Sequence, residues 1–171
     1  DAGLLAIERT GEGFLVSSAK GIFRADELVS TMPIGVTSRL AGLAVPDLPH
    51  ARLLSLFVSA DRPLGFDGEI LYNFSPEAAW KRLTLHSALY GTAMYGIGSA
   101  RCHFTVEVAV PEGAPVPSAK DAFADFARHF EKSTGYAGAL ALVGHHVLGS
   151  AYPVYRLGFG AVRDAALDAL E

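Results

Sequence analysis

The sequence predicts an α+β domain with a mainly antiparallel sheet. Short apolar runs of strand length, separated by Gly- and Pro-bearing turns, occupy most of the chain before residue 110. Within Cys102–Val110, Cys, Phe, Val and Val alternate cleanly with His, Thr and Glu. One strongly amphipathic helix follows at 118–134, and a second helical stretch closes the chain. Strands ahead of helices, rather than alternating with them, point to α+β and away from a parallel βαβ sheet.

The elements follow in order. Leu4–Glu8, Phe14–Ser18 and Ile22–Ala25, joined by turns at 9–13 and 19–21, read as a three-stranded meander. Glu27–Thr31 reads as a further short strand. It is stopped by Pro33, which lacks an N–H and forces Met32 to be extended. Residues 35–50 carry Gly35, Gly42, Pro46 and Pro49 and read as a loop with one helical turn around Thr37–Leu43. Arg52–Ser59 is a strand, apolar on both faces at its centre. Glu69–Phe74 and Lys81–Ser87 are strands joined by a Pro76 turn, and 88–100 reads as a Gly-rich loop. Ser118 N-caps the main helix, where Ala122, Phe123, Phe126, Ala127 and Phe130 fall at helical spacing and Gly135 closes it. Ala139–Leu148 is a final strand interrupted at His145-His146, 150–155 is extended, and Arg163–Leu170 is helical. The expected organisation is one substrate-binding-type domain over 1–171, with a meander and connection at 1–34 and a main sheet and helix at 50–158.

Composition narrows the function classes. The chain has 171 residues, half of them hydrophobic and 19% charged, enough to bury a core. A net charge of −4 argues against nucleic acid as a partner, since no basic stripe is there to neutralise phosphates. The lone Cys102 has no partner for an intrachain disulfide and reads as a buried small residue in a reducing compartment. No apolar run approaches the ~20 residues of a membrane span, and no signal peptide opens the chain. A cytoplasmic protein is the default expectation.

Several motifs lead nowhere. Gly96-Ile-Gly98 and Gly158-Phe-Gly160 lack the third glycine of a dinucleotide fingerprint, since Arg101 and Arg163 stand there. His145 and His146 are adjacent on a strand, so their rings point to opposite faces and cannot converge on one ion. One buried and one exposed imidazole is the expected state, with no metal. No Gly-x-Ser-x-Gly elbow occurs, and Asp121, Asp125 and Glu131 read as the solvated face of the helix. The constellation that remains is Tyr72 to Ser87. A turn between two strands brings Tyr72 near Arg82, whose fork matches phosphate or carboxylate. An ordinary sheet aromatic beside a surface Arg explains the same residues. Tyr152-Pro-Val-Tyr155 either lines a ligand pocket or packs a sheet edge.

Ala25-Asp-Glu-Leu-Val-Ser-Thr-Met-Pro-Ile34 resembles the segment that joins a β-meander to the FAD domain in the flavin amine oxidase superfamily. That superfamily includes protoporphyrinogen oxidases, amine oxidases and UDP-galactopyranose mutases. Ile70–Glu77 with Lys81–Ser87 resembles a "Y-F-P-E … F-x-R-x-T-x-x-S" stretch of the mutases, and Ala151-Tyr-Pro is similar to a later "(A/G)-Y-P" segment. The three lie in register along nearly the whole chain. The resemblance implies that Ser30, Thr31, Met32 and Pro33 lie against FAD. It implies that Tyr72, Arg82 and Tyr152 meet the substrate, a small molecule that is anionic or a nucleotide-sugar in the mutases. In that case Arg82→Ala raises KM for a diphosphate substrate and leaves turnover of a neutral amine unchanged. The Gly-rich fingerprint that grips FAD is absent, and the chain opens at Asp1 with no initiator Met. The chain therefore reads as the substrate-binding portion of a flavin-dependent oxidoreductase or mutase, expected to bind no FAD and to be inactive by itself. Dimerisation through apolar surface left exposed is also expected. The alternative from a different class is a free-standing, non-catalytic α+β module that binds a small ligand.

Overall fold

The computed structural model describes residues 3–91 and 102–171, so the Gly96-Ile-Gly98 pair, Arg101 and most of the 88–100 loop lie outside the described residues. The chain divides into two compact units, Asp1–Pro49 with Val154–Glu171, and His50–Pro153. The architecture is α+β with two antiparallel sheets.

The first unit holds the meander, β1 (Leu4–Thr10), β2 (Gly13–Ser18) and β3 (Gly21–Ala25), in spatial order β1-β2-β3. Gly13 makes the first hairpin possible. Its φ of 122° suits glycine, and a Cβ would strike the Ala25 carbonyl oxygen. Thr10 Oγ1 fastens the same turn, donating to the Gly13 carbonyl at 3.2 Å and accepting from Glu12 N at 3.3 Å. The strand predicted over Glu27–Thr31 does not form, and among the described residues no ladder pairs this segment. A side chain organises it instead, with the Ser30 hydroxyl accepting from Met32 N at 3.3 Å and bonding Thr37 Oγ1 at 2.8 Å. The helical turn predicted after it is a short helix, α1 (Ile34–Leu40), and α4 (Phe159–Asp168) begins after Gly158 at φ 85°.

The second unit is a five-stranded sheet in the order β5-β6-β7-β4-β8. Its strands are β4 (His50–Ala60), β5 (Ile70–Tyr72), β6 (Trp80–Leu85), β7 (Cys102–Val110) and β8 (Leu140–Pro153), with a short helix α2 (His86–Tyr90) after β6. The sequence extends β6 through residue 87; α2 takes over at His86. The strand predicted to stop at Leu148 runs unbroken through the histidines to Pro153. Both histidines are exposed rather than one buried, because β8 is the sheet edge.

Helix α3 (Ala119–Thr134) covers one face of this sheet. Ser118 caps it, accepting from Asp121 N at 3.1 Å, and Gly135 ends it in the left-handed conformation at φ 71°. Phe126 and Phe130 are fully buried against Leu54, Leu56, Leu83, Phe104 and Val106. Trp80 meets Phe126 edge-on with centroids 5.5 Å apart. Its Nε1, a donor only, gives its hydrogen to Nδ1 of buried His129 at 3.2 Å. Asp125 does more than face solvent: its Oδ2 accepts from Ala79 N at 3.1 Å, tying the β5–β6 connection to the helix. Cys102 is half-buried at the edge of this core rather than fully buried, and burial pushes its thiol pKa up.

Candidate functional site

The face of the five-stranded sheet opposite α3 carries the polar residues. Antiparallel registers bring Tyr72 opposite Arg82, Arg82 opposite Glu107, Glu107 opposite Ser55, and Ser55 opposite His146. One transverse row therefore crosses all five strands. In the next row Thr84 faces Thr105 and Thr105 faces Phe57.

A β-bulge decides which face Arg82 joins. Side chains alternate along a strand, so Arg82 would ordinarily share a face with Trp80 and be driven into the core. The β6–β7 register shifts between these two residues, Trp80 pairing with Val108 and Arg82 with Glu107. The extra residue, Lys81, flips the strand by one step. Trp80 stays buried and Arg82 emerges on the open side.

There Arg82 Nη2 donates to Glu107 Oε1 at 2.5 Å and to the Tyr152 hydroxyl at 3.3 Å. Tyr152 lies on β8, three strands from β6, and pairs with Ala51 rather than with Ser55 of the Arg82 row. The two side chains must lie down over β7 and β4 to meet. The hydrogen bond to Glu107 raises the Arg82 pKa above its ordinary value, more than burial lowers it, and the charge of Glu107 and the Tyr72 hydroxyl act in the same direction. Arg82 Nε is buried with no hydrogen-bond partner among the described residues. Tyr72 stacks against Phe74 with centroids 6.3 Å apart, and both rings are exposed. Further along the face, His86 Nε2 and Thr105 Oγ1 lie 2.5 Å apart, and His103 Nε2 is buried with no hydrogen-bond partner among the described residues.

All three residues expected to meet substrate, Tyr72, Arg82 and Tyr152, thus converge. Sequence reasoning missed Glu107, His86 and Thr105. The polar half of the Cys102–Val110 alternation contained Thr105 and Glu107, but nothing local said which residue of β6 each would face.

In the first unit, Ser30 lines a cavity of about 480 Å³ with Leu28, Thr37, Leu43 and Leu170. Thr31 and Pro33 are exposed and Met32 is half-buried beside it. Among the described residues no group of three or more His, Cys, Asp or Glu is placed to hold a metal ion. Nor is any helix among them long and apolar enough to cross a membrane.

No protein-family model and no curated protein matches the sequence. Solved structures do match in fold. Reduced UDP-galactopyranose mutase superposes with a TM-score of 0.74 at 14% identity, over 98% of this chain and 38% of its own. A candidate protoporphyrinogen oxidase from Exiguobacterium sp. 255-15 gives 0.63 at 15% identity over the same shares. An oxidoreductase from Methanosarcina mazei gives 0.61 at 12% identity, over 90% of this chain and 38% of its own. This chain shares the fold of the matching portion of these structures. At these identities the likeness is one of fold, and the chain spans 38% of the length of each of these structures.

Proposed function

We propose that this chain is the substrate-binding portion of an FAD-dependent oxidoreductase or mutase, with Tyr72, Arg82 and Tyr152 as its substrate-facing residues. The observation that carries the reading is their convergence on an open sheet face, Tyr72 and Arg82 from neighbouring strands and Tyr152 from 70 residues further on, with a bulge turning Arg82 outward. The same bulge lets Trp80 and Leu83 share the core face, so one irregularity serves both the packing of the covered side and the outward turn of Arg82.

The residues of the first unit fit one wall of a cofactor site. Ser30 offers a hydroxyl on a cavity wall that mixes apolar Leu28 and Leu43 with polar Thr37, Glu8 and Arg9, and Thr31 and Pro33 beside it are exposed. Ser30, Thr31, Met32 and Pro33 are the residues that would lie against FAD. The flavin, when bound, supplies the electron-transfer chemistry. The residues of this chain orient the substrate. Arg82, fixed by Glu107, presents donors at a defined place, the tyrosines add hydroxyls and aromatic walls, and the sheet behind them excludes water from one side.

The test uses the full-length protein loaded with FAD. It should show the visible flavin band, and a substrate found by anaerobic bleaching of that band should depend on Arg82. Arg82→Ala should raise the concentration for half-maximal bleaching about tenfold or more while the band itself stays unchanged. A full-length protein with no flavin band, or bleaching indifferent to Arg82→Ala, rules the reading out.

A further inference from the structure

We infer that His129 is a proton-operated latch on Trp80, the core-side residue of the β6 bulge: its neutral imidazole holds the indole, and its protonated form releases the indole and bonds Ser133 instead. The inference concerns the covered face of the sheet and holds whatever the open face receives.

Hydrogen-bonding chemistry at one atom makes the ring a two-position device. Trp80 Nε1 carries a hydrogen and accepts none. It stands 3.2 Å from His129 Nδ1. Nδ1 is therefore the bare nitrogen of the neutral ring, and the hydrogen of that ring sits on Nε2. A second group waits at the same atom. Ser133 Oγ, one helical turn on, is also 3.2 Å from Nδ1 and donates its own hydrogen to the His129 carbonyl. With its hydrogen engaged there, the hydroxyl can only accept from Nδ1. It has nothing to accept while the ring is neutral, and gains a donor when Nδ1 takes a proton. That proton also sets two N–H groups against each other and leaves the indole without a partner. Trp80 and His129 are 3% and 8% exposed, so water does not replace the lost bond.

The indole is the inner anchor of the bulge. Trp80 pairs with Val108 and Arg82 with Glu107, with Lys81 between them as the extra residue. Asn73 Nδ2 donates to the Trp80 carbonyl at 2.8 Å, so the backbone of β6 stays held when the side chain is released. The charged groups around the ring come from three elements. On α3, Asp125 is engaged by Arg128 and by Ala79 N, and Lys132 bonds Glu77 of the β5–β6 connection. That bond chiefly holds the Glu77 carboxyl below its usual range, and His129 adds to the effect last. On β6, Lys81 is exposed and Arg82 turns to Glu107 on the opposite face. The strands under α3 present apolar Leu83, Phe104 and Val106. Among the described residues, the partners at Nδ1 are Trp80 and Ser133 alone.

Nuclear magnetic resonance of this chain labelled with nitrogen-15 tests the latch. While His129 is neutral, its Nδ1 should show the shift of a bare nitrogen and its Nε2 that of a hydrogen-bearing one. As the pH falls, the Trp80 indole Nε1–H should move upfield, and the backbone amides of Lys81 and Arg82 should move with it. All three should share the midpoint at which the His129 ring itself titrates. His129→Asn places an amide oxygen near the position of Nδ1 and takes up no proton, so the indole should keep its bonded shift and all three signals should lose that titration. If His129→Asn fails to fold, the wild-type nitrogen shifts and the shared midpoint still decide. A hydrogen on Nδ1 of the neutral ring, indole or amide signals that ignore the His129 midpoint, or a titration that persists in His129→Asn overturns the inference.

Discussion

The two faces of the five-stranded sheet are made by the same strands and have opposite characters. On the α3 side, Leu54, Leu56, Leu83, Phe104 and Val106 are essentially dry and pack on Phe126 and Phe130. On the other side the intervening residues, Ser55, Phe57, Thr84, Thr105 and Glu107, carry hydroxyls, a charge and an exposed ring. The period-two alternation of a strand separates stability from chemistry residue by residue. Core packing holds the strands in register, and that register places the row from Tyr72 to His146. The open face can therefore change its side chains at small thermodynamic cost, provided the covered face is kept.

The largest blow to this contrast should come from the covered face. Phe126→Ala removes a fully buried ring that touches Trp80, Phe104 and Phe130. It should cost about 3–5 kcal/mol in chemical denaturation, and a loss under about 1 kcal/mol would show that α3 is not the seat of stability. Ser118→Ala acts at the end of the same helix, where the lost cap should cost about 1 kcal/mol. An unchanged melting midpoint would break the link between the cap and sheet stability. The smallest effect belongs to the open face. Tyr152→Phe removes only the hydroxyl that meets Arg82, and should leave stability within about 0.5 kcal/mol. A drop as large as that of Ser118→Ala would mean that the open face also helps hold the fold.

How much of this was legible depended on whether the cause was local. Helix α3 is written in its own residues, a Ser at the cap, apolar residues at helical spacing and a Gly at the close, so its limits follow from sequence within a residue or so. Cys102–Val110 is likewise written in its own alternation. The Glu27–Thr31 segment has strand-like residues, but a strand needs a neighbour to take its backbone hydrogen bonds, and no local pattern supplies one. The exposure of both His145 and His146 follows from β8 lying at the edge, a property of strand order. At the site, Tyr72 and Arg82 could be paired from the short connection between their strands. Glu107 could not, because its meeting with Arg82 depends on a one-residue slip at Lys81. Asp125 was read as solvated for a similar reason, its partner Ala79 lying 46 residues away.

The burial of Trp80 gives the molecule a built-in fluorophore with a restricted view. It is the single tryptophan of the chain, enclosed on the covered face and hydrogen-bonded to His129. Emission excited at the indole band therefore follows departure of α3 from the sheet in the unit His50–Pro153. The unit formed by Asp1–Pro49 and Val154–Glu171 contains no indole and can melt silently in such a measurement. A fluorescence midpoint and a far-ultraviolet circular dichroism midpoint would then diverge whenever the two units unfold separately, and the size of that gap would measure their cooperativity directly.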